Sequence, residues 1–133
     1  MKRKASAALA LAVVLTAVFA VAALGRGDQS APKSVTVRMG GSPPNFRFGG
    51  VPEQVAKGNV RFTFRNTSSG QVQHNFTVVS TLGGGKKFKS RTLAGGASQT
   101  LTVNLPAGTY IAVCTVGNGF HAAHRMVASF QVQ

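Results

Sequence analysis

Acidic side chains are almost absent from this chain of 133 residues. Asp28 and Glu53 are its only carboxylates, against 15 lysines and arginines, and the formal net charge is +13. The chain therefore offers neither the carboxylate pair nor the hydrolytic triad on which many hydrolases depend. The positive charge favours anionic partners, and since no nucleic-acid-binding motif accompanies it, we expect no nucleic acid among them.

Long apolar runs are also absent, except at the N-terminus. Met1-Lys2-Arg3-Lys4 is followed by a mostly apolar stretch from Ala5 to Leu24, which is the pattern of a secretory leader. A run of about 20 apolar residues is also long enough to span a bilayer uncleaved. We expect a signal peptide or N-terminal membrane anchor over residues 1–24, a linker over 25–34 and one folded domain over 35–133. The protein is predicted to be exported, to the periplasm or the cell surface, with possible membrane association through this segment.

Cysteine is equally scarce, because Cys114 is the only one. A domain of about 100 residues removes roughly two-thirds of its surface from water on folding, so it does not need a disulfide for stability. In an exported protein a lone cysteine is a free thiol, half of an intermolecular disulfide or a metal ligand. The residues around it decide among these.

Helical periodicity is missing after residue 34. Short runs alternate apolar and polar residues instead, which is typical of strands with one buried face, and clusters of glycine and proline separate the runs. In one run, Phe62 and Phe64 are predicted to face the core while Arg61 and Arg65 face water. The pattern predicts an all-β fold, a Greek-key β-sandwich of about seven or eight strands. The main predicted strands are 35–39, 60–65, 76–79, 101–105, 110–113 and 126–132.

Four side chains suited to a metal ion fall at the ends of these strands. Cys114 ends one strand and Met126 begins the next, so the loop between them, which contains His121, lies at one end of the sandwich. His74 precedes the strand at 76–79 and can reach the same end. A thiolate, two imidazoles and a thioether form the ligand set that suits copper alternating between Cu(I) and Cu(II). The sequence therefore predicts one copper ion held by these four residues.

These residues resemble the motifs of the cupredoxins, the type 1 blue-copper proteins that include plastocyanin, azurin and pseudoazurin. The segment His74-Asn75-Phe76-Thr77-Val78 matches the first histidine ligand and the asparagine after it, and the segment from Pro106 to Val116 matches the approach to the cysteine ligand. The resemblance covers most of residues 35 to 133. It implies that Asn75 forms a hydrogen bond near Thr115, which holds the two ligand loops together.

The connection between Cys114 and His121 departs from the family pattern. Six residues separate the two here, whereas the family usually has fewer and often ends them with Pro-Gly. The longer, looser loop leaves His124 as another candidate ligand, although His121 keeps the family's four-residue gap to Met126. The small and apolar residues around His121 are expected to form a docking patch for electron transfer, namely Gly117, Gly119, Phe120, Ala122 and Ala123.

The resemblance implies a monomeric electron carrier with one copper ion and no enzymatic activity. It would exchange single electrons with a redox protein donor and acceptor that present acidic docking faces, steered by a basic strip at Lys86, Lys87, Lys89 and Arg91. Copper oxidases and nitrite reductases of this fold need more histidines than the three present, and a binuclear copper-A site needs a second cysteine. The alternative is a copper carrier or storage protein, or a cupredoxin-like module without electron relay.

Overall fold

The computed structural model describes Ala31, residues 33–83 and residues 88–133. The predicted leader at residues 1–24, the linker up to residue 30 and the basic residues Lys86 and Lys87 lie outside this part. Within the described residues no helix is both long and apolar enough to cross a membrane.

Strands dominate the described part of the chain, which confirms the predicted all-β class. Nine strands are present there, slightly more than the seven or eight expected, because three of them are only two or three residues long and are too short to show an alternating pattern. The one helix among the described residues is a single turn that the sequence pattern did not predict. The elements are β1 Ser34–Gly40, β2 Arg47–Gly49, β3 Gln54–Val55, β4 Gly58–Asn66, β5 Thr77–Ser80, β6 Phe88–Lys89, β7 Ser98–Leu105, β8 Gly108–Val113, α1 Phe120–Ala123 and β9 Val127–Val132.

The strands form two sheets with the hydrophobic core between them. One sheet has the order β2-β1-β4-β7 and the other the order β3-β9-β8-β5-β6. The pairs β1–β4 and β3–β9 are parallel and the remaining pairs are antiparallel. The chain moves from one sheet to the other after β2, β3, β4, β6 and β7, so each sheet is built from segments that are distant in sequence.

Strand β4 shows why this register is strongly specified. Phe62 and Phe64 are buried while Arg61 before them and Arg65 after them are exposed, as the alternation predicted. Each buried phenylalanine contributes about 2–3 kcal/mol through burial of apolar area. A slip of one residue would expose both rings and bury the arginines, so only one register is stable.

The ends of three strands, β5, β8 and β9, meet at one end of the sandwich. Strand β8 ends just before Cys114 and β9 begins just after Met126, and their pairing continues past the strand ends because the Cys114 N–H donates to the Met126 carbonyl at 3.1 Å. Strand β5 runs antiparallel to β8, so its first residue, Thr77, lies opposite Val113. His74 and Asn75 precede β5 and therefore reach the same end as Cys114.

Candidate metal centre

Three buried side chains meet at this end of the sandwich. The Nδ1 atoms of His74 and His121 are 3.1 Å apart, and the Cys114 Sγ lies 3.4 Å from the His121 Nδ1 and 3.9 Å from the His74 Nδ1. Among the described residues these three form the one cluster of histidine, cysteine and carboxylate groups with ligand atoms within 4.8 Å of one another. Cys114 and His74 are fully buried and His121 is 8% exposed.

The triangle has the size that a single metal ion requires. The three separations define a point about 2.0 Å from all three atoms, and metal–nitrogen and metal–thiolate bonds measure about 2.0–2.3 Å. The ligand atoms thus already surround one ion-sized position. A thiolate with two imidazoles favours a soft or borderline metal such as copper or zinc over magnesium or calcium.

Met126 lies directly against this cluster. It is fully buried, its N–H donates to the His121 carbonyl at 3.0 Å, and its own carbonyl accepts from the Cys114 N–H at 3.1 Å. The backbone therefore ties Met126 to two members of the triangle. Its role as an axial thioether ligand stays a prediction.

The outer nitrogen of His74 is held by Ser68, a residue that the sequence analysis missed. The Ser68 Oγ lies 2.9 Å from the His74 Nε2 and donates to the Gly41 carbonyl at 3.1 Å. Because the single hydroxyl proton is used on Gly41, the Ser68 oxygen accepts from an Nε2–H. That arrangement leaves the His74 Nδ1 unprotonated and facing the cluster, which is the form that binds a metal.

Asn66, which the sequence analysis also missed, fixes the loop that carries Ser68. Its buried side-chain amide donates to the carbonyls of Val72 and Leu93 at 2.8 and 2.7 Å, and its Oδ1 accepts from the Ser68 N–H at 2.9 Å. Leu93 in turn exchanges two backbone hydrogen bonds with His74. Neither residue belongs to a motif that the sequence analysis connected with the metal site.

Asn75 links the His74 segment to the Cys114 segment. Its Oδ1 accepts hydrogen bonds from the Thr115 N–H at 3.0 Å, the Thr115 hydroxyl at 3.2 Å and the Thr77 hydroxyl at 3.2 Å. The Asn75 N–H points to the Cys114 Sγ at 3.5 Å. The hydrogen bond between Asn75 and Thr115 that the resemblance implies is therefore present.

The long connection to His121 is folded rather than loose. Gly117, Asn118 and Gly119 all have positive φ angles, which turn the chain into α1, and the Phe120 N–H donates to the Gly117 carbonyl at 3.0 Å. The extra residues are thus absorbed by a tight turn and one helical turn, a compact arrangement that strand patterning alone does not reveal. Helix α1 carries His121 into the core end of the sandwich.

Phe46 packs against both histidines of the cluster, another contact that the sequence analysis missed. Its ring is stacked on His121, with centroids 3.9 Å apart and planes at 23°, and it meets His74 edge-on at 5.5 Å. Phe46 lies between β1 and β2, in the opposite sheet, and is 3% exposed. The stacking therefore holds the helical turn that carries His121 from the side of the other sheet.

His124 lies outside the cluster. Its Nδ1 is 2.8 Å from the Phe120 carbonyl, and its ring lies 4.1 Å from the Phe120 ring. The His124 imidazole, just after the last residue of α1, thus has its own contact with Phe120, the first residue of that helix. Of the two candidate histidines, the structure brings His121 to the other ligand atoms.

Burial sets the protonation of the metal-free cluster. Desolvation, with the neighbouring His121 adding to it, lowers the pKa of His74 to about 4. Desolvation and then His124 lower the pKa of His121, while desolvation raises the pKa of the Cys114 thiol despite the Asn75 N–H. At neutral pH the cluster is two neutral imidazoles and a thiol, so an entering metal ion displaces one proton from Cys114.

The residues of the predicted docking patch precede and follow His121, the least buried member of the cluster. Phe120 is 47% exposed, Gly117 and Ala123 are exposed, and Gly119 and Ala122 are half-buried. Of the predicted basic strip, the described residues Lys89 and Arg91 are exposed. The docking role of both surfaces stays a prediction.

Two mixed sheets that enclose a core, with a His-Cys-His cluster at one end, define the cupredoxin fold. No protein-family model and no curated protein sequence matches the chain. Its likeness to known proteins is found in solved structures.

The auracyanin of the photosynthetic bacterium Roseiflexus castenholzii is 24% identical, with a TM-score of 0.57, and the match covers 74% of this chain and 96% of that one. Auracyanin A from Chloroflexus aurantiacus, a blue copper protein, is 22% identical with a TM-score of 0.54, covering 75% and 99%. A multicopper oxidase from Pediococcus acidilactici is 14% identical with a TM-score of 0.60, covering 80% of this chain but 27% of that one. At these identities the likeness shows the fold.

Proposed function

We propose that this chain is an exported mononuclear copper protein that transfers single electrons between redox partners. The observation that carries the proposal is the triangle of His74, Cys114 and His121, whose ligand atoms surround one buried position at metal-bond distance. A thiolate and two imidazoles stabilise both Cu(I) and Cu(II) when a weak thioether completes the set. Met126, which is buried and hydrogen-bonded through its backbone to His121 and Cys114, is proposed to supply it. The likeness to a blue copper protein supports the choice of copper over zinc.

The residues around the cluster favour fast electron transfer because they leave the ligands little freedom to move. Ser68 holds the outer nitrogen of His74, Asn75 holds the Cys114 segment, and Phe46 covers the ring of His121. When bound, copper would supply the one-electron chemistry, and ligands held in one geometry would move little as its oxidation state changes. The burial of His74 and Cys114 excludes water from the inner side of the site.

Electrons are proposed to enter and leave through the edge of His121. This ring is the least buried member of the cluster, and the exposed ring of Phe120 and the small residues beside it form an apolar contact surface. A redox protein docks on such a surface weakly and briefly. The excess of basic over acidic residues favours a partner with an acidic docking face.

An enzymatic role is not proposed, although the fold also occurs in a multicopper oxidase. This chain corresponds to about a quarter of that protein's length. Of its three histidines, two belong to the cluster and the third, His124, is hydrogen-bonded to a backbone carbonyl. That leaves one histidine in the chain, fewer than a second copper site built from histidines needs.

Export is proposed from the sequence. The basic residues at positions 2–4 and the apolar run after them fit a secretory leader or an anchor. Fractionation of the cells that produce the chain, with its N-terminus determined by mass spectrometry, tests both: a mature protein that begins near residue 25 in an extracytoplasmic fraction is expected. Recovery of the intact chain in the cytosol contradicts export.

The metal site is tested with the purified full chain, loaded with Cu(II) and examined by visible and paramagnetic-resonance spectroscopy. An intense thiolate-to-copper band is expected, and Cys114→Ser removes it. His121→Gln and His124→Gln form a matched pair one helical turn apart: the first is expected to abolish the band and the second to preserve it. Equal spectra for both variants contradict the assigned ligand set.

Voltammetry separates the electron carrier from the alternative of a copper carrier or store. A carrier gives a reversible one-electron wave at fast scan rates. Tight Cu(I) binding with slow or absent cycling contradicts electron relay and favours copper transport or storage.

A further inference from the structure

Two arginines face each other on the outer side of the sheet β2-β1-β4-β7. Arg38 on β1 is the register partner of Arg65 on the parallel strand β4, and both are exposed while their chain neighbours on these strands are buried. Neighbouring strands are about 4.8 Å apart, so the backbone atoms that carry the two arginine side chains are separated by about that distance.

No carboxylate side chain in the described part of the chain lies beside this pair to balance its charge. Like charges at such a spacing repel, and Glu53, the only described carboxylate side chain, lines a different pocket with Thr109 and Gln131 beside the other sheet. A local conflict without compensation is characteristic of a functional site. An anion between the two guanidinium groups removes the conflict.

The structure provides a recess for such an anion. Arg38 and Arg65 line an open pocket of about 370 Å³ together with Asn66, Thr67, Ser68 and Gly96. A guanidinium group matches an oxyanion through two parallel N–H donors, so the pair offers up to four charge-assisted hydrogen bonds. We propose that this pocket binds an oxyanion, a phosphate or a carboxylate, between Arg38 and Arg65.

One residue, Ser68, lies between the pocket and the metal cluster. Ser68 lines the pocket and its hydroxyl is hydrogen-bonded to the His74 Nε2 at 2.9 Å. An anion in the pocket therefore changes the surroundings of Ser68 and, through one hydrogen bond, those of His74. Anion binding requires no metal, so the anion site can be tested independently of the proposed electron transfer.

The experiment uses the metal-free full chain and follows its amide and imidazole signals by NMR. Inorganic phosphate is added at constant ionic strength, which keeps general screening unchanged. Because the chain has only three histidines, the His74 ring is a resolved reporter. Saturable shifts of Thr67, Ser68, Gly96 and the His74 ring are expected.

Three variants make the test specific. Arg38→Gln and Arg65→Gln each remove a charged donor and are expected to weaken phosphate binding about tenfold or more. Arg61→Gln removes the same charge from the same face of β4, outside the pocket, and is expected to change binding less than about twofold. If a glutamine variant fails to fold, Arg65→Lys keeps the charge without the two-donor fork and is expected to bind with intermediate affinity.

A hexaglutamate peptide distinguishes the source of the oxyanion. If it competes with phosphate, binds more tightly and depends on the same two arginines, the ligand is a carboxylate cluster on a protein partner. If phosphate alone binds, the ligand is a free anion. Shifts that grow without saturation, or an Arg61→Gln variant weakened as much as Arg38→Gln, overturn the proposal.

Discussion

Ser68→Ala is predicted to damage the metal site without touching a ligand. The substitution removes the oxygen that accepts from the His74 Nε2–H, and because His74 is fully buried, this N–H loses the acceptor that the folded chain gives it. A buried donor left without an acceptor costs about 1–3 kcal/mol. The free energy of unfolding of the metal-free protein should fall by that amount.

The effect on metal binding has a separate cause. With the Ser68 oxygen gone, the His74 proton is no longer held on Nε2, and the protonated Nδ1 form competes with the metal. Loss of the hydrogen-bond partner of a metal-bound histidine weakens affinity about 10- to 100-fold. Competition with a coloured copper chelator measures this loss, and urea denaturation measures the stability.

Two variants separate this reasoning from general damage to the loop. Ser69→Ala makes the same chemical change at the next, exposed position and should shift stability by less than about 0.5 kcal/mol. Ser68→Thr keeps the hydroxyl and should restore most of the copper affinity. If Ser68→Ala binds copper as tightly as the parent chain, the orientation of His74 does not depend on Ser68 and the reasoning is refuted.

Three further perturbations test other parts of the site. Asn75→Ala removes the oxygen that accepts three hydrogen bonds and should lower the free energy of unfolding by about 2 kcal/mol in denaturant titrations; an unchanged midpoint contradicts this bracing role. Phe46→Leu removes the ring stacked on His121 and should speed copper release about fivefold in stopped-flow measurements, because such a ring pair contributes about 1 kcal/mol; an unchanged release rate means that the ring does not clamp His121. Acidification from pH 6.5 to pH 4 should destabilise the metal-free protein by up to about 3 kcal/mol. The pKa of His74 is about 4 in the folded protein and about 6.5 in the unfolded chain, so over this range the unfolded chain binds the proton more readily. Stability independent of pH over this range, measured by denaturant unfolding, contradicts the burial of a neutral His74.

Local pattern was enough to predict the long strands. The alternation of Phe62 and Phe64 with arginines marks both the strand and its buried face, because side chains on a strand point to opposite sides in turn. The ligand candidates were found in a similar way: His74 was identified by the asparagine after it, and Cys114 by the residues that lead up to it. The sheet geometry then requires both to lie at the same end, since β5 and β8 are antiparallel neighbours.

The sequence alone therefore determined the fold class, the main strands and three residues whose ligand atoms meet. What only the tertiary structure decided is everything that surrounds them: Ser68 behind His74, Phe46 on the ring of His121, and the pairing of Arg38 with Arg65. These contacts join residues by loop shape and strand register, and neither leaves a periodic signal in the chain. The long loop before His121 illustrates the difference, because its length is visible in the sequence whereas its folding into a tight turn and one helical turn depends on the packing around it.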